Sequence, residues 1–392
     1  MHARAGSRVL IFANTAWNLK NFRAGLIRAL VADGYDVVAA APADAALDEV
    51  ARMGARTVPI PVDSKGKSAT TDFRLFLRTI GVLRRERPAV LLTYTVKPNI
   101  YGALAARLCA VPAIATVTGL GTPFLAGGAL AKTVRVLYRA ALSHPNTVFF
   151  QNSDDRTLFL GERLVREDRA ALVPGSGVDL SRFVPRGAST QQRRVLFVGR
   201  LLADKGVHEL VEAARILRAG GHRVEFQLLG PLGCANPSAI SSESLAEWQN
   251  DGLVTHLGSA EDVRPAIAEA NLVVLPSYRE GTPRSLLEAA AMGKPLIATD
   301  VPGCREPVVD GQNGFLCKAR SANSLAEAVA RFFALSPANQ AAMGQRSRAI
   351  AEDRFDERIV IEATRDAIAN ALAHQATRAL ETAQLTASAR AR

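Results

Sequence analysis

The sequence predicts an α/β protein made of two doubly wound, Rossmann-like domains, and three observations carry that expectation. Short, near-continuous apolar runs alternate with helical patterns, as expected of parallel strands covered on both faces. The series occurs twice, separated by a stretch at 174–187 that is rich in Pro, Gly and Ser and has little periodicity. The 392 residues are also too many for one ordinary core.

Taken in order, the first series places strands at 9–12, 36–40, 57–60, 90–93, 113–117 and 148–151, with helical patterns such as 22–33 and 73–87 between them. The second places strands at 195–198, 225–229, 254–257, 272–275 and 295–298. Helical patterns follow at 338–353 and 356–374, and 375–392 lacks a strong apolar face and is expected to fray. The expected domains are 1–175 and 188–355, with the helix 356–374 returning to the first. Two such domains face a central cleft, the expected ligand site.

Hydrophobic residues make up 48% and charged residues 22%, which fits a globular chain and excludes a disordered one. The cysteines, Cys109, Cys234, Cys304 and Cys317, have no zinc-knuckle or redox-pair spacing and read as reduced thiols of a cytoplasmic protein. No signal-peptide core precedes the first strand, and no apolar run is long enough to span a membrane. The net charge of +11 is lopsided. Residues 1–172 hold 23 Lys/Arg against 13 Asp/Glu, and 173–392 hold 25 against 24. The N-terminal half is thus expected to meet an anionic partner such as a membrane surface, a phosphorylated lipid or nucleic acid; charge for solubility alone is the alternative. Aromatics at 6% are too few to interleave with bases, so nucleic acid is not expected as a partner.

The stretch that carries chemistry is Pro276-Ser-Tyr-Arg-Glu280-Gly-Thr-Pro-Arg-Ser-Leu-Leu-Glu288. A strand ends at 275, a loop with Gly281, Thr282 and Pro283 follows, and a helix begins near Arg284. Ligands of such sheets bind at the carboxyl ends of strands. The helix start offers backbone N–H groups around Ser285 and Leu286 to an anion. Two carboxylates beside an anion site suit hydroxyl-rich neighbours, one sugar on each side of a diphosphate. Positive charge comes from Gly199-Arg200-Leu-Leu-Ala-Asp-Lys205-Gly206, after another strand: Arg200 as a planar fork and Lys205 as a point charge. Both can neutralise a departing diphosphate.

In combination and in this order, these residues resemble the large retaining glycosyltransferase family 4, which has the GT-B fold. That family carries an Arg-x4-Lys element, here Arg200 and Lys205, and then a Glu-x7-Glu element, here Glu280 and Glu288. Further matching pieces are Pro174-Gly-Ser-Gly-Val-Asp179, Ala213-Ala214, Leu229-Gly230, Ala270-Asn271 and Gly303…Glu306…Gly311…Gly314-Phe, and the resemblance covers nearly all of 8–370. It implies that Arg200 and Lys205 hold the diphosphate, Glu288 the ribose hydroxyls, and Glu280 the hydroxyls of the transferred sugar near the reacting carbon. The base is read by backbone near Gly230-Pro231 and Gly258. Where the family usually has Phe-Gly after the first Glu, this chain has Thr282-Pro283-Arg284. Arg284 adds a phosphate or acceptor contact, or is simply charge at a helix start.

No metal site is evident. Asp154 and Asp155 follow Asn152-Ser153 and read as a helix first turn with Ser153 as the cap. No cofactor is expected, and a UDP-sugar enters as co-substrate; UDP is favoured over GDP by the resemblance. None of the six histidines falls where the first domain would face the cleft. Retention can instead proceed on one face of the sugar, with the donor's own phosphate oxygen taking the acceptor proton.

The acceptor is expected on the N-terminal domain, at three strand ends: Asn14 to Arg23, including Asn18; Lys97-Pro-Asn99-Ile-Tyr101-Gly102; and Thr118-Gly119-Leu-Gly121-Thr-Pro-Phe124. Gly119 and Gly121 lack the third glycine of a dinucleotide fingerprint. Together these segments resemble the branch of the family that extends undecaprenyl-diphosphate-linked saccharides of O-antigens, capsules and glycoprotein glycans. That resemblance implies a hexose or N-acetylhexosamine donor and a lipid-linked acceptor, with Lys97 and Arg23 as candidates to hold the acceptor diphosphate; a solvated loop charge is the alternative for Lys97. Lys132, Arg135 and Arg139 share a helix face, and 73–87 mixes arginines with Phe73, Phe76, Leu77 and Ile80. These suit a protein peripheral on the inner face of the cytoplasmic membrane, or ordinary amphipathic packing. The competing readings are a nucleotide-sugar epimerase on the same fold, a transferase with a soluble acceptor, and a non-catalytic binder. An epimerase needs acid/base side chains from the first domain, and no histidine or carboxylate pair is placed there.

Overall fold

A computed structural model of the chain describes residues 6–63, 66, 68–120, 128–186, 192–233 and 236–390, with 129–130 and 378–390 described by backbone alone. The chain divides into two compact units, one of Met1–Ser176 with Arg358–Arg392, the other of Gly177–Glu357.

The first unit is built on β1 (Arg8–Phe12), β2 (Asp36–Ala41), β3 (Arg56–Pro59), β4 (Val90–Tyr94), β5 (Ala113–Val117), β6 (Thr147–Phe150) and β7 (Ala170–Leu172). They form one sheet in the order β3-β2-β1-β4-β5-β6-β7, with every pairing parallel. Alternate side chains of a strand point to opposite faces, and both faces are filled here. Leu10, Phe12 and Leu91 pack with Leu75 and Leu83 of the helix Ala69–Glu86. Val9, Ile11 and Leu92 pack on the other side with Ile27 and Leu30, and with Ile368 and Ala371 of the helix Glu357–Arg390. That double coverage is why the strands read as continuous apolar runs.

The second unit repeats the plan with β8 (Arg194–Val198), β9 (Glu225–Leu229), β10 (Thr255–His256), β11 (Leu272–Leu275), β12 (Leu296–Thr299) and β13 (Gly314–Cys317). Its order is β10-β9-β8-β11-β12-β13, again all parallel. Strand order reverses between β1 and β4 in one sheet and between β8 and β11 in the other. Such reversals open a crevice at the strands' carboxyl ends.

Several expectations are corrected. Strands β7 and β13 were not anticipated; both are short edge strands of three and four residues. The strand expected at 254–257 shrinks to two residues. The helical pattern at 22–33 is the helix Ala24–Ala32, but an unanticipated helix, Ala16–Phe22, precedes it, so most of the segment expected to meet the acceptor, Asn18 included, is helical. Asn152, not Ser153, caps the helix Ser153–Gly161: its Oδ1 accepts from Asp155 N at 2.8 Å. The stretch 174–187 is no bare linker. Val178 and Phe183 are buried, and Arg348 donates to the Phe183 carbonyl at 2.8 Å, tying 177–186 to the second unit. The last helix runs to Arg390 where fraying was expected, well past 374.

Candidate active site

The second unit gathers its charged residues at its strand-order reversal. The chain leaves β8 through Gly199 and Arg200 and makes one 3-10 turn, Ala203–Lys205, that ends in Gly206 at φ 73. A Cβ on Gly206 would stand 2.1 Å from the Pro276 carbonyl oxygen, so glycine lets this turn lie directly on the chain leaving β11. Tyr278 N then donates to the Asp204 carbonyl at 3.0 Å. Lys205 Nζ forms an ion pair with Glu280 Oε1, and Ser277 Oγ donates to the same oxygen at 2.6 Å. The loop is held from the far side as well. Glu280 N donates to the Pro302 carbonyl at 3.2 Å, and a Cβ on Gly303 (φ 80) would lie 2.3 Å from the carbonyl oxygens of both Glu280 and Gly281. Glu280 is therefore fixed between the exits of β8 and β12. Arg200 is exposed and has no ion pair among the described residues.

The helix Arg284–Ala291 follows Pro283 without a side-chain cap. The Ser285 N–H has no acceptor among the described residues, which leaves it open to an anion. Leu286 corrects the expectation: it is fully buried, and its N–H donates to the Pro283 carbonyl at 3.1 Å. Gly281 is buried and Thr282 half-buried in the turn before the helix. Arg284 Nε lies 2.7 Å from Glu288 Oε1. Burial pushes the Glu288 carboxyl above the usual range, while the positive charges of Arg284 and Arg182 pull it down and Asp262 pushes it up.

Gly230, at the end of β9, has φ 152, and a Cβ there would stand 1.9 Å from the Gly199 carbonyl oxygen. Its N–H donates to the Gly258 carbonyl at 2.8 Å and its own carbonyl meets His256 Nε2 at 2.9 Å. The Gly230 N–H is thus committed, while its carbonyl keeps a second lone pair. Gly258 (φ 74) has open space around its α-carbon. Among the described residues, no group of three or more His, Cys, Asp or Glu side chains is placed to hold a metal ion.

In the first unit, the expected acceptor residues follow β1, β4 and β5, and Arg23 and Lys97 are already engaged, whereas the side-chain oxygens of Asn18 and Asn99 accept no hydrogen bond among the described residues. Asn18 N donates to Thr15 Oγ1 at 3.0 Å in a helix cap. Arg23 is 3% exposed, with its guanidinium 4.1 Å above the Tyr94 ring, so it is a core cation and no surface clamp. Lys97 Nζ pairs with Asp72 Oδ1 at 2.6 Å and donates to the Gly66 carbonyl at 2.9 Å. Tyr101 OH donates to the other Asp72 oxygen at 2.9 Å, and burial with that carboxylate raises its pKa. Asn99 is fully buried and donates to the Thr116 carbonyl at 2.8 Å, joining the ends of β4 and β5. Thr118 and Gly119 are half-buried. Gly121, Thr122, Pro123 and Phe124 lie outside the described residues, as does Cys234.

Sequence reasoning missed Asp72, which stands in the first turn of Ala69–Glu86, where an acidic residue is ordinary. It also missed Thr95, a β-branched residue at φ 72 just past β4, beside the π-helical turn Pro98–Gly102. Both backbone features gather at functional sites.

Comparisons with known proteins give the family and the fold. Residues 21–175 match the family described as glycosyl transferase 4-like domain, and residues 192–334 match glycosyl transferases group 1, together about three quarters of the chain. The chain belongs to the group 1, 4-like glycosyltransferases. This glycosyltransferase is 26% identical over 340 residues to N,N'-diacetylbacillosaminyl-diphospho-undecaprenol alpha-1,3-N-acetylgalactosaminyltransferase of Campylobacter jejuni, covering 82% of this chain and 88% of that protein. It is 25% identical over 291 residues to UDP-Gal:alpha-D-GlcNAc-diphosphoundecaprenol alpha-1,3-galactosyltransferase of Escherichia coli, covering 69% and 73%. Among solved structures, Anabaena HepE in complex with UDP and glucose superposes with a TM-score of 0.74 at 18% identity, covering 93% of this chain and all of that one. A glycosyltransferase from Rickettsia africae gives 0.75 at 15% identity, covering 94% and 99%. The transferase therefore has the GT-B pair of Rossmann-like domains, and the family decides for transfer over epimerisation.

Proposed function

We propose that this glycosyltransferase moves a hexose or N-acetylhexosamine from a UDP-sugar to a saccharide carried on undecaprenyl diphosphate, with retention and without a metal ion. The observation that supports it best is the constellation at the β8/β11 reversal: Lys205 on Glu280, Arg200 exposed on the chain leaving β8, and Glu288 one turn into the next helix. In this reading Arg200 and Lys205 take the diphosphate, Glu288 the ribose hydroxyls, and Glu280 the hydroxyls of the departing sugar. The bond from the anomeric carbon to the phosphate oxygen breaks as the bond to the acceptor oxygen forms on the same face. The acceptor's proton passes to the leaving phosphate, whose charge Arg200 and Lys205 offset. The lipid-linked acceptor is supported by the names of the Campylobacter and Escherichia relatives, and UDP by the latter. Both names specify α linkages; common UDP-hexose donors are themselves α-linked, so an α product retains configuration.

The acceptor's carrier brings the enzyme to the inner face of the cytoplasmic membrane. The helix Ala69–Glu86 supports this: Phe73 and Leu77 are 59% and 50% exposed, and Arg74, Arg78, Arg84 and Arg85 are exposed with them. Apolar groups exposed among arginines suit a lipid interface better than a purely solvated face. Lys132 and Val136 are exposed on the helix Gly128–Leu142. No helix among the described residues is long and apolar enough to cross a membrane.

The test is UDP release with the lipid-linked acceptor embedded in vesicles, followed by NMR of the product. Release should require the acceptor, rise with anionic lipid, and give the α anomer. A β product from an α donor refutes retention, equal rates on neutral and anionic vesicles refute the electrostatic part, and release indifferent to the lipid-linked acceptor refutes the acceptor.

A further inference from the structure

Glu288 has its counter-charge on its own helix. Arg284 stands four residues earlier, on the same face, with Nε 2.7 Å from Glu288 Oε1; the side chains are 18% and 13% exposed. Glu288 Oε2 makes no hydrogen bond with the described residues. The other charges near Glu288 come from neighbouring segments: Arg182, which draws it toward the ionised form, and Asp262, which opposes that. Asp262 is itself held by the fork of Arg264, with Nε 2.8 Å from Oδ1 and Nη2 2.7 Å from Oδ2. Arg348, on the adjoining helix Pro337–Arg354, is committed to the carbonyls of Phe183 and Ala291 and to Glu352. Arg284 is thus the cation in contact with Glu288.

We propose that Arg284 is a positioning residue that acts through Glu288: it holds one carboxylate oxygen and keeps the group ionised, leaving the other oxygen to receive hydroxyl protons of the donor nucleotide. The inference rests on the donor reading above. Its logic is one of donors and acceptors. An ionised carboxylate only accepts, so two neighbouring ribose hydroxyls can both point at it. A protonated Glu288 would present a donor to donors, and burial favours that form. The contact to Arg284 opposes protonation while occupying only Oε1. This differs from a direct phosphate contact, in which Arg284 would serve the ligand and leave Glu288 unaffected.

The experiment is UDP affinity by calorimetry between pH 5.5 and 8.5, for the wild-type chain, Arg284→Leu, Arg284→Lys, Glu288→Gln and the Arg284→Leu/Glu288→Gln pair. In Arg284→Leu, UDP affinity should fall about tenfold or more at the acid end and recover at the alkaline end, an acid limb displaced upward by at least about one pH unit. Arg284→Lys should lie between it and wild type. Glu288→Gln should be weak and flat with pH, with no further loss on adding Arg284→Leu. An equal loss at every pH, or a further loss in the pair, overturns the proposal. A second readout needs no nucleotide. A carboxyl whose folded pKa is raised lends stability at low pH that is lost as pH rises through that pKa. In Arg284→Leu this loss should extend to higher pH than in wild type, and Glu288→Gln should abolish it. Parallel melting profiles overturn the inference whether or not UDP binds; a wild-type chain that binds no UDP overturns the donor reading instead.

Discussion

Replacing Lys294 with methionine should stabilise the protein at neutral pH. Lys294 lies in the turn after the helix Arg284–Ala291 that carries Glu288, on the way into β12. It is 3% exposed, and its ammonium donates to the Ala268 carbonyl at 2.6 Å, in the last turn of the helix Arg264–Glu269. Burial pulls its pKa from 10.5 down to about 8. A depressed lysine favours the deprotonated folded chain. Between about pH 8 and 10.5 the unfolded chain therefore binds more protons, and this group's contribution rises with pH through that window. Below pH 8 the full penalty applies, about 3 kcal/mol at ~1.4 kcal/mol per unit. Methionine keeps most of the stem and removes the charge, but leaves the Ala268 carbonyl without its donor, a cost of about 1–2 kcal/mol. The net gain at pH 7 is about 1–2 kcal/mol, or roughly 2–6 °C in Tm for a unit of this size.

The assay is thermal melting of wild type and Lys294→Met from pH 7 to 11. The difference between the two proteins isolates this lysine from the tyrosines and cysteines that titrate alongside it. The variant should melt higher at pH 7, and its advantage should vanish or reverse by about pH 10.5, where the wild-type lysine is neutral when folded and half neutral when unfolded. A difference that does not change across that range would refute the linkage. A variant that melts lower than wild type at pH 7 would show that the carbonyl contact outweighs the buried charge.

Three further substitutions test the donor constellation. Glu288→Ala should raise the donor KM by about ten- to a hundredfold, from the loss of charge-assisted bonds worth about 1.5–3 kcal/mol. Glu280→Ala should chiefly lower kcat, and unchanged kinetics in both would refute the assignment. Gly303→Ala should lower kcat by tenfold or more, because its Cβ would fall 2.3 Å from two carbonyl oxygens of the Glu280 loop and push the carboxylate off its position. Wild-type turnover in that variant, measured as acceptor-dependent UDP release, would show that the loop tolerates displacement.

Much of the fold was legible because parallel strands covered on both faces leave a strong trace. β4 and β5 are buried at every position, and apart from Thr93 and Thr116 the residues there are an apolar run ending in Tyr94 and Val117. β13 left no such trace: it opens with Gly314, where a Cβ would stand 1.8 Å from the Leu296 carbonyl oxygen, and that glycine reads as turn before it reads as strand. At the site, residue types and order were legible because both charged elements follow strands that meet at the reversal. Their partners were not. Lys97 finds Asp72 25 residues away and Lys205 finds Glu280 75 residues away, and no local pattern encodes such pairs. Arg23 was a candidate for the acceptor diphosphate by resemblance; only the packing shows it enclosed against Tyr94.

These pairings alter what the basic N-terminal half is for. If its surplus charge served the acceptor's diphosphate, it should stand at the ends of β1, β4 and β5. There, however, Lys97 is matched by Asp72 and Arg23 is enclosed. Several exposed cations instead stand on two helices: Arg74, Arg78, Arg84 and Arg85 on one, Lys132 and Arg139 on the other. Exposed charges act over roughly a Debye length and are weak individually, so they matter most against an extended surface of opposite sign, where each contributes about 1 kcal/mol. A single diphosphate in a crevice would be served better by one or two preorganised donors, such as the open, half-buried Ser285 N–H in the other unit. The two units of this transferase therefore use charge differently. In the second it is nearly balanced, and in the first it is in surplus on exposed side chains, which is what the proposed contact with an anionic surface needs.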